Sequence, residues 1–258
     1  MSTTKLKKLG KLKPKFDRRT LQFNKYFSTL PYVPQTSHWL NAPPLGMLMN
    51  DTVGDCTIAG IGHMQRIWSK QNGIDYAMTD AQAIVAYTAV TALENNGQGY
   101  DPNTGANDNG CACLDVLKYA QNTGIGGQKI GPYVQVDVSN HSHVEHAQFW
   151  FGGLYIGIDM PVSAQNQPSV WDVPSTGLTG AGTPGSWGGH CVSIAGHSPA
   201  GLDLITWGER ILMTWKFWDS YVTECYAILS NDFVINPVRA PNGLNMQALI
   251  ADLALVTV

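Results

Sequence analysis

The sequence has no apolar run near the ~20 residues that a membrane-spanning helix needs, and no apolar stretch follows its basic N-terminus as in a secretory signal. No membrane partner is expected, and the chain reads as soluble and made in the cytosol. There is no Cys-x-x-Cys pair to suggest zinc. The cysteine count of five is odd, which argues against a disulfide framework and for reduced thiols. Also missing are the GxxxxGK[ST] phosphate loop, a GxGxxG turn after a strand and the GxSxG elbow, so nucleotide and serine-hydrolase chemistry have no motif to rest on. Hydrophobic residues make up 44% of the 258, enough for a large core, so disorder is not the expected reading.

The net charge of −3 conceals an asymmetry. Within residues 1 to 19 stand Lys5, Lys7, Lys8, Lys11, Lys13, Lys15, Arg18 and Arg19 against Asp17 alone, so this arm carries +7 and the remaining chain −10. Arm and body attract each other. A basic arm can bind nucleic acid, but no aromatic stands between Lys5 and Lys15 to stack on bases. An arm lying on its own acidic body, or on a protein assembly partner, is favoured over nucleic acid held by residues 5 to 19. Residues 1 to 29 read as this arm and 30 to 258 as the folded domain.

After the arm, Leu30 to Pro44 is rich in proline and aromatics and reads as an extended belt. The spacing of Ile58, Ile61, Met64 and Trp68, with a stop at Gly73, predicts a helix from Cys56 to Asn72. Thr79 and Gln82 form a capping-box pattern for a second helix to Leu93. Asn95 to Gly110, with four glycines, is a long polar loop, and a helix from Cys113 to Asn122 follows. Ser142 and Glu145 predict another capped helix ending at Gly152 and Gly153. Strands are expected at Leu154 to Ile158, His190 to Ala195, Leu202 to Trp207, Arg210 to Thr214 and Cys225 to Leu229, with a short helix from Thr214 to Glu224 and an amphipathic one over Met246 to Val256. Helices first and strands later give an α+β protein with two packed halves.

Two residues stand out chemically. Cys56 follows Gly54 and Asp55 at the first turn of a helix, where free N–H groups favour a thiolate and can hold an oxyanion. His190 opens an alternating apolar strand after two glycines, with room for a ligand above it. His141, His143 and His146 lack an acidic or cysteine ligand at metal spacing. The oxygen-rich loop around Asp101 and Asp108 has Ala112 where a calcium loop needs glutamate. No metal or cofactor is expected.

The order of a cysteine on a helix and a histidine roughly 130 residues on resembles the papain superfamily. Four segments carry the resemblance in order: Asn50 to Thr57, Asn109-Gly110, Gly189-His190-Cys191-Val192 and Thr206-Trp207-Gly208. Nearly the whole chain is similar to a branch of papain-like proteins of bacteria and their phages. Its marks are the Lys-Leu-Gly-Lys-Leu start, Asn50 to Thr57, the turn at Gly185 to His190, and Met213 to Trp218 after Thr206-Trp207-Gly208. The resemblance implies a two-lobed fold with a helical half bearing the nucleophile helix and an antiparallel β half. It implies that Cys56 attacks, that His190 moves the proton, and that Asn50, with the Cys56 N–H, holds the oxyanion. Gly110 would pair with an extended peptide substrate, and Trp207 would shield the histidine. An asparagine is usual two residues before the Trp-Gly pair, and Ile205 stands there. Asp203, on the same strand face, is the alternative orienter of the imidazole.

Two functions remain open on the sequence. One is a thiol hydrolase of peptide or amide bonds, with a peptide or protein substrate. The other is a weak or inactive structural or binding protein of the same fold, tethered by its arm, for example in a phage particle. The first places the chain in the cytoplasm, the second in a virion.

Overall fold

A computed structural model describes residues 7–26, 32–39 and 45–231. The helix expected over Met246 to Val256, and Leu30, Pro31 and residues 40–44 of the belt, lie outside the described residues. Two short strands come first, β1 (Leu21–Gln22) in the arm and β2 (Ser37–His38) in the belt. The helical half follows with α1 (Cys56–Gln71), α2 (Asp80–Glu94) and α3 (Cys113–Asn122). Thr79 and Gln82 form the reciprocal capping box, the Thr79 N–H donating to Gln82 Oε1 at 2.9 Å and the Gln82 N–H to Thr79 Oγ1 at 3.3 Å.

The sheet half contains β3 (Ile130–Gln135), α4 (His141–Phe151), β4 (Leu154–Met160), β5 (Val170–Trp171), β6 (Gly188–Ser198), β7 (Gly201–Thr206), β8 (Glu209–Met213), α5 (Trp215–Tyr221) and β9 (Val222–Ser230). The strands run in the order β1-β3-β9-β4-β6-β7-β8-β5, with β2 pairing β6. Among the described strands, β1 with β3 and β5 with β8 pair in parallel and the others antiparallel. α1 packs on β6 and is buried along almost its whole length. Two glycines make this possible. A Cβ at Gly60 would stand 2.9 Å from the Tyr155 ring, and one at Gly62 2.3 Å from the Met78 methyl.

Several boundaries differ from the sequence pattern. α4 is capped by Asn140, whose Oδ1 accepts from the His143 N–H at 3.1 Å, not by Ser142. α5 ends at Tyr221, and Val222 to Glu224, expected as helix, open β9 because their backbone pairs with β4. β3 is hidden in the sequence by Gly131 and Pro132, which the sheet accommodates through a register shift between Ile130 and Tyr133. The cap correction is testable by urea unfolding. Asn140→Ala lowers stability by about 1 kcal/mol and Ser142→Ala by less than half of that; the reverse order would restore the sequence-based cap.

Candidate functional site

Cys56 is the first residue of α1, preceded by the N-cap Asp55, so its own N–H has no intrahelical acceptor. The polar loop fixes this helix start. Asp108 Oδ1 accepts from the Gly54 N–H at 2.9 Å and from the Tyr87 hydroxyl at 2.7 Å, and the Tyr87 hydroxyl accepts from the Gly110 N–H at 2.9 Å. On the sheet side, Cys191 of β6 faces α1, its sulfur 3.5 Å from where a Cβ at Gly60 would stand and its N–H toward the Cys56 sulfur, whereas His190 Nδ1 makes no hydrogen bond to that sulfur. All five cysteines are free and buried.

The His190 ring is buried and stacked on Trp207, with centroids 4.4 Å apart and planes at 14°. Its Nε2 lies 2.7 Å from Thr206 Oγ1, while Nδ1 has no hydrogen-bond partner among the described residues. The side chain against the His190 ring is therefore that of Thr206, not that of Asp203. The register Ile194 to Leu204 continues the face of His190 onto Thr206. Asp203 falls on the opposite face, 2.6 Å from His38 Nδ1 and 4.0 Å from Arg210 Nη2. Ile205 packs with Ile67 and Ala195 on that same far face. Trp207 holds φ 49° and Gly208 φ 71°, the two left-handed positions of a tight hairpin. For so bulky a residue this costs energy, offset by the stacking and by the indole N–H, which donates to Lys8 O at 3.1 Å.

What covers the site is the arm itself. The Lys8 N–H donates to Asn50 O at 3.1 Å, the Lys11 N–H to Gly189 O at 3.0 Å, and the Leu12 N–H to Cys111 O at 3.0 Å. The Cys111 N–H donates to Gly10 O at 2.8 Å, giving a parallel bridge between Lys11 and Cys111. The Gly10 N–H lies against Gly189 O at 3.2 Å and against the Cys56 sulfur. Only glycine fits here, because a Cβ at Gly10 would stand 1.7 Å from Gly54 O and one at Gly110 2.0 Å from Gly10 O. Lys7 Nζ rests 4.7 Å from the centre of the Trp207 ring.

This cover decides the charges. Burial pushes the Cys56 thiol well up, and burial together with the Lys7 ammonium holds His190 down to about 3. Sulfur and ring are thus both neutral at pH 7. The helix N-terminus expected to favour a thiolate is outweighed by desolvation. Burial also pushes the Asp55 carboxyl well above the usual carboxylate range. The Asn50 side chain donates to Val53 O at 3.1 Å, and its backbone carbonyl seats the arm. Gly110 does not itself pair with the extended segment; Cys111 beside it does.

The arm's other cations meet the body's acids. Lys8 lies 3.8 Å from Asp108, Lys11 3.5 Å from both Asp159 and Glu224, and Lys15 3.6 Å from Glu94 and in contact with Asp115. The sequence analysis saw these lysines as a charged run and missed Lys11, Glu224 and Thr206 as members of the site. The available signal was Gly10, a glycine inside a charged run. His141 pairs with Asp219 at 2.6 Å and His146 Nδ1 with Ser142 O at 2.6 Å. Among the described residues no three His, Cys, Asp or Glu side chains stand close enough to hold a metal, and no helix is long and apolar enough to cross a membrane.

No protein-family model matches the chain, and no curated protein sequence matches it. Solved structures do. Xylellain, a cysteine protease from Xylella fastidiosa, superposes with a TM-score of 0.67 at 11% identity, over 89% of this chain and 98% of that one. The Carica candamarcensis cysteine protease CMS1MS2, in complex with E-64, gives 0.53 at 12% identity over 77% and 99%. Procathepsin L 3 of the Tenebrio molitor larval midgut gives 0.55 at 9% identity over 84% and 75%. The chain thus has the papain-like α+β fold.

The buried ring has a measurable consequence. An unfolded histidine takes up its proton near pH 6.5, whereas folded His190 does so at about 3, so its burial removes stability as pH falls through that window. Ring-carbon NMR of the full chain should show the His190 signal constant from pH 8 to below pH 5. A midpoint near 6.5 would contradict the cover.

Proposed function

We propose that this protein is a papain-like thiol hydrolase of peptide or amide bonds, kept latent by its own N-terminal arm. The observation that carries the reading is the placement of an extended backbone across the Cys56 sulfur, between the helix start and the His190 strand. A groove that binds one extended peptide by main-chain hydrogen bonds accepts others. The arm escapes cleavage because it presents the Gly10 N–H to the sulfur, while the Gly10 carbonyl is turned away to Cys111.

With the arm displaced, water returns and the desolvation that keeps sulfur and ring neutral is relieved. His190 Nδ1, unpartnered under the cover, takes the thiol proton while Nε2–H donates to Thr206. The sulfur adds to the substrate carbonyl carbon. The oxygen gathers charge facing the Cys56 N–H and the Asn50 amide, which must turn from Val53 to reach it. His190 gives its proton to the leaving nitrogen as the carbon–nitrogen bond breaks. Water, deprotonated by the same ring, then splits the thioester and restores the thiol. Thr206 positions the ring as a hydroxyl partner, without the charge of a carboxylate.

Gly10→Leu in the full chain tests this, since no side chain fits there and the arm must lift. Iodoacetamide should label Cys56, mapped by peptide mass, at least about tenfold faster than in the wild type, and casein hydrolysis should appear and vanish again on adding Cys56→Ala. Equal slow labelling, or labelling without hydrolysis, would replace the enzyme with a binding protein of this fold. Thr206→Val in the Gly10→Leu chain should lower kcat by about tenfold to a hundredfold with little change in KM, as expected for a group acting only through His190.

A further inference from the structure

Lys11 is only 6% exposed, although lysine is almost never buried unless its charge is matched. Its ammonium lies 3.5 Å from Glu224 Oε1, 3.5 Å from Asp159 Oδ1 and 3.2 Å from the Leu12 carbonyl, to which it donates. The Glu224 side chain is 1% exposed. The Tyr226 hydroxyl donates to Glu224 Oε2 at 3.0 Å and leaves Oε1 facing the ammonium. The recess owes its room to Gly157, where a Cβ would lie 2.4 Å from Lys11 Cε and 2.6 Å from Glu224 Oε1. Gly189 similarly leaves room for the Lys11 backbone, 2.2 Å from where its Cβ would be.

The walls of this recess, on β4, β6 and β9, all belong to the body of the protein. Only the guest belongs to the arm. The arm's backbone bonds to Cys111 and Gly189 are indifferent to side-chain identity, whereas the recess is not. Any extended peptide that replaces the arm over Cys56 directs a side chain, one residue along from the one above the sulfur, onto a buried carboxylate. A neutral guest leaves that carboxylate unpaired, and an acidic guest meets like charge.

The geometry points to a cation-selective specificity pocket, built by Glu224 with Asp159 at its mouth, that takes a lysine or arginine side chain of the substrate and that Lys11 fills in the covered state. The word substrate rests on the hydrolase reading; the cation selectivity does not.

The test uses the full-length Gly10→Leu, Cys56→Ala chain, which can bind but not cleave, and two synthetic peptides of residues 5 to 15. One has the natural sequence, and the other has norleucine, the uncharged analogue of lysine, at position 11. The natural peptide should bind at least about tenfold tighter by fluorescence anisotropy, and Glu224→Gln should remove most of the difference. Equal affinities within about twofold overturn the pocket whatever the enzyme does. In parallel, the Gly10→Leu chain should cleave fluorogenic peptides with lysine or arginine at one position at least about tenfold faster in kcat/KM than their leucine or glutamate counterparts. Cleavage without that preference overturns the pocket and leaves the hydrolase standing. Selective binding without cleavage of any peptide supports the pocket and overturns the hydrolase reading.

Discussion

Backbone hydrogen bonds from Asn50, Cys111 and Gly189 hold residues 8 to 12 in the groove between the helices and the sheet, and the chemistry of the site depends on them. They turn the Gly10 N–H toward the Cys56 sulfur and leave sulfur and imidazole both buried. In that dry setting desolvation pushes the Cys56 thiol up and the His190 imidazole down, so burial favours the neutral form of both while the arm is seated. On the hydrolase reading proposed above, the arm acts electrostatically as well as sterically.

The same contacts explain features that look costly in isolation. The left-handed Trp207 is held by a hydrogen bond to Lys8, by Lys7 above its ring and by His190 beneath it. A lysine and a glutamate buried together lose most of their hydration, and removing one partner of such a pair typically costs about 3–5 kcal/mol. The arm's position over Cys56 is set by glycine at 10, and its anchorage by the ion pair at 11. The body's negative charge, concentrated on Glu224, Asp159, Asp108, Glu94 and Asp115, is what the basic arm meets.

Much of the helical half was legible in the sequence because its signals are local. The 3.6-residue spacing from Ile58 to Trp68, the Thr79–Gln82 box and the polar loop ending at Gly110 all correspond to observed elements. β3 was not legible, since Gly131 and Pro132 break its pattern and only pairing with β9 makes it a strand. Of the candidate site residues, Cys56 was expected at a helix start and His190 at a strand start, and they stand at the first position of α1 and near the start of β6. Their environment was not legible, because Thr206 reaches the ring through cross-strand register and Asp203 is excluded by the alternation of side chains. Lys11 and Glu224 are far apart in the chain and meet only after folding, so a charge count saw the attraction of arm and body without seeing where it acts.

Amide hydrogen exchange of the full chain, resolved at Gly10, Lys11 and Leu12, measures the arm's seat directly. The account predicts strong protection of all three amides, lost together on Gly10→Leu. Exchange of these amides at the rate of an unstructured peptide in the native protein would contradict it.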